Sequence, residues 1–85
     1  MNMKRGRILV SVEKGMFDSE RSISFDGVGQ KYHLVVDAYD VQDGKLEVGI
    51  VDEARDSLLV ALPKDTFTSG STVRVPRTAV EVIAQ

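Results

Sequence analysis

The 85-residue chain reads as an all-β domain, and three features of the sequence lead there. Apolar residues recur with period two in stretch after stretch, which places alternate side chains on one face of a strand. Turn-forming residues punctuate these stretches about every eight to twelve residues, the rhythm of a sandwich or barrel. No window of helical length carries a sustained i, i+3, i+4 apolar stripe. Two separate sheets in so short a chain would leave raw edges, so the expected architecture is a small antiparallel barrel, SH3-like or OB-like in size, of roughly five to seven strands. One domain is expected over residues 7–85, behind a basic, flexible N-terminus at 1–6.

In chain order, Arg7 to Glu13 places Ile8, Val10 and Val12 on one face and forms the first expected strand, with Leu9 as an outward apolar exception. Lys14 to Ser19 is a turn set built on Gly15, Asp18 and Ser19, with Met16 and Phe17 in its middle. Glu20 to Asp26 is the second strand, Ile23 and Phe25 inward against Ser22 and Ser24. Gly27 to Gly29 is a tight turn, its glycines free to take positive φ. Gln30 to Asp37 is the third strand, with Tyr32, Leu34 and Val36 inward and His33 and Val35 outward. Ala38 to Gly44 connects onward through the turn pair Asp43-Gly44.

The stretch Lys45 to Pro63 organises the rest. Leu46, Val48 and Ile50 alternate with Lys45, Glu47 and Gly49, and Leu58, Val60 and Leu62 with Ser57, Leu59 and Ala61. The charged segment Asp52 to Asp56 between them is too short for a crossover helix, so the two strands pair as an antiparallel hairpin. Pro63, with no N–H to donate, is expected to end the second of them. Lys64 to Ser71 then forms a loop in which Asp65 caps a helical turn and Phe67 drops back over the core. Thr72 to Pro76 and Ala79 to Ile83 are the last strands, with Val73, Val75, Val80 and Val82 inward.

Composition narrows the function classes. The formal charge of −2 offers no overall attraction to nucleic acid or an anionic membrane, so any such binding must be local. There is no cysteine, which removes disulfides and thiolate chemistry and points to a reducing, cytoplasmic setting. The longest apolar run, Leu58 to Leu62, is far short of a membrane span, and the apolar segment after Lys4, Arg5 and Arg7 stops too soon for a signal peptide.

Catalytic and metal chemistry find little footing. His33, the only histidine, has no partnered nucleophile in view: Ser11, Ser22 and Ser24 lie mid-strand, and there is no G-x-S-x-G elbow. Asp37, Asp40 and Asp43 recur every third residue, where a calcium loop needs every second, and zinc would need a His or Cys cluster. The Gly27-x-Gly29 pair precedes no helix that could aim a dipole at a phosphate. No enzyme, metal or cofactor is expected.

Recognition remains. Met16 and Phe17 in the first turn, with Leu59 outward by strict alternation, are the residues expected to meet a protein partner or a second copy of the chain; plugging of the barrel end is the competing role for the two loop residues. The alternative partner is nucleic acid. If the first and last strands pair, Lys4, Arg5, Arg7, Arg74 and Arg77 gather along a basic edge able to track phosphates. Against this stands the shortage of exposed aromatic platforms, since Phe25 and Tyr32 look internal.

Overall fold

The computed structural model describes residues 4–83. They form an all-β domain of two antiparallel sheets. Its strands are β1 (Lys4–Leu9), β2 (Ser11–Lys14), β3 (Glu20–Asp26), β4 (Lys31–Asp37), β5 (Val41–Gln42), β6 (Lys45–Glu53), β7 (Ser57–Thr66), β8 (Gly70–Pro76) and β9 (Val80–Ile83), with 3-10 turns at Ala38–Asp40 and Arg77–Ala79. The large sheet runs β8-β7-β6-β1-β9, with β5 added beside one end of β6; the small sheet runs β2-β3-β4. None of the described helical turns is long and apolar enough to cross a membrane.

The period-two pattern becomes packing almost residue for residue. Ile8, Ile23, Leu34, Val36, Leu46, Val48, Leu58, Val60 and Val75 are essentially solvent-free, and Val10, Phe25, Tyr32, Ile50, Leu62 and Val73 complete the core between the sheets. The Phe25 and Tyr32 rings, opposite each other on β3 and β4, sit 5.7 Å apart in a tilted pair. Of the residues expected inward, Val12 and Val82 are exposed and Val80 is half-buried. Their alternation is right, but β2 and β9 are edge strands of only four residues, whereas the seven-residue edge strands β4 and β8 keep their inward side chains buried.

Several expected boundaries moved, each for a reason. The strand expected over 7–13 divides at Val10, whose N–H donates to the Gly44 carbonyl at 2.9 Å while the chain crosses from the large sheet into the small one. That division, with the short β5, raises the count to nine described strands where five to seven were expected. Lys4 to Gly6, expected to be frayed, belong to β1, because β1 is paired on both edges: Lys4 to Leu9 with β6, and Arg5 to Ile8 with β9. The remainder of the expected flexible segment, residues 1–3, lies outside the described residues.

Pro63 does not end β7. The pairing of β7 with β8 skips from Ala61 to Thr66, so the ladder asks for no N–H at the proline and the strand runs on through Asp65, which caps no helical turn. A second irregularity falls in β6, where Val51 is passed over between the pairs Ile50–Val60 and Asp52–Leu59.

Turn chemistry fixes the ends. Asp43 and Gly44 both take positive φ, 55° and 75°, the backbone of a two-residue hairpin that joins β5 to β6. Gly27 serves a different need from the one expected. Its φ is not positive; a Cβ there would collide with the Tyr32 ring and come within 3.0 Å of the Arg74 carbonyl. This close approach lets the β3–β4 turn lean on β8, where the Val28 N–H donates to the same Arg74 carbonyl at 3.0 Å. On β4 itself, the His33 carbonyl accepts from the Phe67 N–H at 2.9 Å. The chain joins the two sheets at Val10 and again through Ala38–Asp40, and these two hydrogen bonds add ties from the small sheet to the β7–β8 hairpin.

Candidate recognition surface

Met16 and Phe17 occupy the tip of the β2–β3 hairpin and point into solvent, 87% and 62% exposed, so neither plugs the core. The main chain beneath them is closely held. The Gly15 N–H donates to the Glu20 carbonyl at 3.2 Å, and the Glu20 N–H returns to the Phe17 carbonyl at 3.0 Å. The Arg21 guanidinium donates to the Asp18 and Glu20 carbonyls, both at 2.8 Å. The loop is anchored to the rest of the domain by the Ala38 N–H, which donates to the Ser19 carbonyl at 2.7 Å.

That last bond brings a residue to the site that sequence reasoning passed over. Ala38 opens the 3-10 turn that displays Tyr39, 74% exposed. Gln42 donates its side-chain amide to the Tyr39 carbonyl at 3.1 Å, and the Asp37 N–H donates to the Asp40 carboxylate at 3.3 Å, which together fix the turn. A hydrogen bond to the Asp37 carboxylate, followed by the negative charges of Asp37 and Asp40, raises the Tyr39 phenol above the ordinary tyrosine range. The signal available in the sequence was a tyrosine inside a connection rich in aspartate, where no strand face could absorb it.

Leu59 does not join this loop. It is half-buried on the outer face of the large sheet, with Arg74 of β8 and Asp52 of β6 as its register neighbours. Phe67, expected over the core, is 68% exposed at the β7–β8 tip, its ring stacked on His33 with centroids 6.5 Å apart.

The five cations proposed as a basic edge are spread over three places. β1 and β9 do pair, but Arg74 lies on β8, separated from β1 by β7 and β6, and donates to the Ser57 hydroxyl at 2.9 Å. Lys4 and Arg77 converge on Glu53, at 3.0 and 3.4 Å. Arg77 also closes the β6–β7 loop, donating to the carbonyls of Ala54 at 2.9 Å and Arg55 at 3.3 Å. The hydrogen bond and charge of Lys4, with Arg77 beyond, hold the Glu53 carboxyl below the ordinary carboxylate range.

Arg5 and Arg7 project from the outer face of β1. Arg5 meets Glu47 at 3.0 Å; Arg7 lies 3.9 Å from Glu81, and Lys45 approaches the same Glu81 oxygen at 3.6 Å. Over these side chains opens a groove of about 290 Å³, floored by Arg5, Arg7, Lys45 and Glu47 and walled by Tyr39 and Pro63. Of the residues considered for catalysis, Ser11 and Ser24 line a shallow concavity of about 320 Å³ with Phe25, Asp26 and Lys31, and His33 is not among its lining residues. His33 faces outward on β4 opposite Ser24, and no three His, Cys, Asp or Glu side chains gather as a metal site among the described residues. Compared with protein-family models, with curated proteins and with solved structures, the chain finds no match in any of the three.

Proposed function

We propose that this chain is a non-catalytic recognition module that binds another protein, or its own copy, through the β2–β3 tip and the adjoining Tyr39 turn. The observation that supports the reading is the exposure of Met16 and Phe17 on a loop whose main chain is already fixed by hydrogen bonds. A pre-shaped loop loses little entropy when its apolar side chains enter a partner's pocket, and aromatic residues presented this way carry much of the energy of protein interfaces. The architecture that carries it is read as a half-open barrel of SH3-like or OB-like size, supported by the chain crossing between sheets at Val10 and by the two bonds from the small sheet to the β7–β8 hairpin.

The alternative, binding of nucleic acid along Lys4, Arg5, Arg7, Arg74 and Arg77, is disfavoured by the pairing of four of these five cations with Glu47, Glu53 or Glu81. Light scattering across a wide concentration range, with pull-down from the native host, tests the leading reading when the intact chain is set beside a Phe17→Ser variant. Self-association or a captured partner that the variant loses would support it; equal behaviour of the two proteins would remove the tip from consideration. Oligonucleotide binding that weakens steeply with salt would instead favour the alternative.

A further inference from the structure

The outer edges of the two sheets belong to β2 and β4 in the small sheet and to β8 and β9 in the large one. The last three are engaged. The His33 carbonyl on β4 accepts from Phe67, the Arg74 carbonyl on β8 accepts from Val28, and the first N–H of β9, on Val80, is turned to the Arg77 carbonyl. Among the described residues β2 receives no such bond. Which of its groups are left over follows from the phase of the ladder, since hydrogen-bonded pairs alternate with non-bonded ones along an antiparallel pair. The Gly15–Glu20 bond closes the β2–β3 hairpin, so Glu13 and Ser11 turn their main-chain groups to Ser22 and Ser24. The Gly27–Gln30 bond sets β3 in the same phase from its other side. Val12 and Lys14 therefore turn their N–H and C=O groups away from β3. Val10, two residues earlier, does the same, and its N–H is taken by Gly44. The β5–β6 turn thus closes the edge at that end, and from Val12 to Lys14 it stands open as far as the Met16–Phe17 tip.

Resting on the protein-recognition reading, we propose that β2 takes an extended segment of a partner protein as an added strand, with an apolar residue opposite Val12 and a cationic residue opposite Glu13. Main-chain hydrogen bonds supply the attraction, and the alternate side chains supply the selectivity. Val12 points to the core side yet is 40% exposed, and it lines a shallow concavity of about 420 Å³ with Glu13, Lys14, Asp18 and Arg21. The cations of this concavity are already held: Lys14 meets Asp18 at 3.3 Å, and Arg21 donates to two carbonyls. Glu13 is not. On its face of the sheet Ser22 stands opposite and Ser11 two residues before, and among the described residues no cation comes within ion-pair distance of it. Charge and space select a foreign strand over a second copy. Antiparallel pairing centred on Glu13 would set two carboxylates face to face. Pairing centred on Val12 would bring the copy's Lys14 against Val10, where Gly44 already sits. A strand of four residues carrying two charges is guarded against open-ended stacking, and still offers one short ladder.

The test is amide exchange of the full chain, read by NMR, with end-capped Thr-Val-Lys-Val-Thr added at millimolar concentration. Exchange should slow at Val12 and Lys14 and stay as it is at Ser11 and Glu13, whose N–H groups already face β3. N-methylating both valines of the peptide removes the N–H groups that would face β2 and should abolish the effect, whereas N-methylating its lysine, whose N–H would face away, should not. The neutral peptide Thr-Val-Gln-Val-Thr should bind about two- to fivefold more weakly, the scale of an exposed ion pair, and Glu13→Gln should remove that difference. Val12→Pro deletes an outward N–H at a non-bonded position of the β2–β3 ladder, and should weaken the lysine peptide while keeping a dispersed, folded spectrum. Unchanged exchange at Val12 and Lys14, slowing that survives methylation of the valines, or slowing that appears without peptide as the protein concentration rises, the mark of a second copy, would each overturn the proposal. Phe17→Ser should leave this titration unaltered, because the peptide ends short of the tip. Failure at the edge is thereby separated from failure of the protein-recognition reading.

Discussion

Two hairpin tips each display a phenylalanine outside the core, and they are held in opposite ways. At the β7–β8 tip a buried side chain does the holding. The Thr66 hydroxyl donates to the Gly70 carbonyl at 2.7 Å and accepts from the Ser69 N–H at 2.9 Å, while Gly70 supplies the positive φ of 70° that closes the turn. Phe67 is then fixed twice more, by its N–H to His33 and by its ring on the His33 imidazole. At the β2–β3 tip backbone bonds and the Lys14–Asp18 ion pair fix the loop, and Phe17, about as exposed as Phe67, has no ring stacked against it. A tip whose side chains are spent on the fold is structure; a tip whose backbone is shaped and whose side chains are idle is available for a partner. Substitutions should separate the two.

The largest effect should come from beneath the fixed tip. Val60 is fully buried in β7, the strand that feeds that tip, with Ile50 and Val73 opposite it on either side. Val60→Ala should cost about 2–4 kcal/mol in a denaturant melt, through lost burial and the cavity left behind. A near-zero change would mean that the central hairpin does not anchor the domain. Next comes the clamp. Thr66→Val keeps the shape and removes the hydroxyl, which should cost about 1–2 kcal/mol and speed amide exchange at Ser69, since both loop groups lose their buried partner. Unchanged exchange at Ser69 would make the two tips alike.

A third loop, between β6 and β7, is tied by charge and sharpens the contrast through pH. Because Lys4 and Arg77 depress the folded-state pKa of Glu53, the stabilisation from this carboxylate is complete above the ordinary glutamate range. It fades as the pH falls through the lowered folded-state value. The difference in melting temperature between the native chain and Glu53→Gln should therefore shrink on acidification. The difference caused by Thr66→Val, which rests on neutral groups, should persist. A Glu53→Gln difference independent of pH would show that the ion pairs contribute nothing measurable.

What the sequence made legible follows from where information sits. Burial leaves a period-two trace, so the Lys45–Pro63 hairpin and the inward residues of β3 and β4 could be anticipated, whereas the pairing of the first and last strands entered only as a condition. Edges leave no such trace: Val12 and Val82 alternate as well as Val48 does and are still exposed, because coverage depends on the opposite sheet. The site was legible in part for the same reason. Met16 and Phe17 stand out as apolar residues in turn chemistry, whereas the company of Arg7, Tyr39 and Lys45 depends on which strands become neighbours. The basic edge failed on topology as well, since Arg74 lies on β8, three strands from β1, while Arg77 sits in the 3-10 turn after β8 and bonds to the β6–β7 loop.

The smallest effect on stability should be the most informative about function. Phe17 touches little, so Phe17→Ser should change the free energy of unfolding by less than about 0.5 kcal/mol, as for most exposed positions away from a cap or clamp. It should also leave the Glu20 amide as protected as before, because the Glu20 N–H bonds to the Phe17 carbonyl and not to its ring. The same change should abolish self-association or partner capture, since it removes the aromatic surface and leaves the loop's shape intact. A stability loss near that of Thr66→Val would mean that the ring is part of the packing after all, and the distinction between an idle tip and a structural one would collapse.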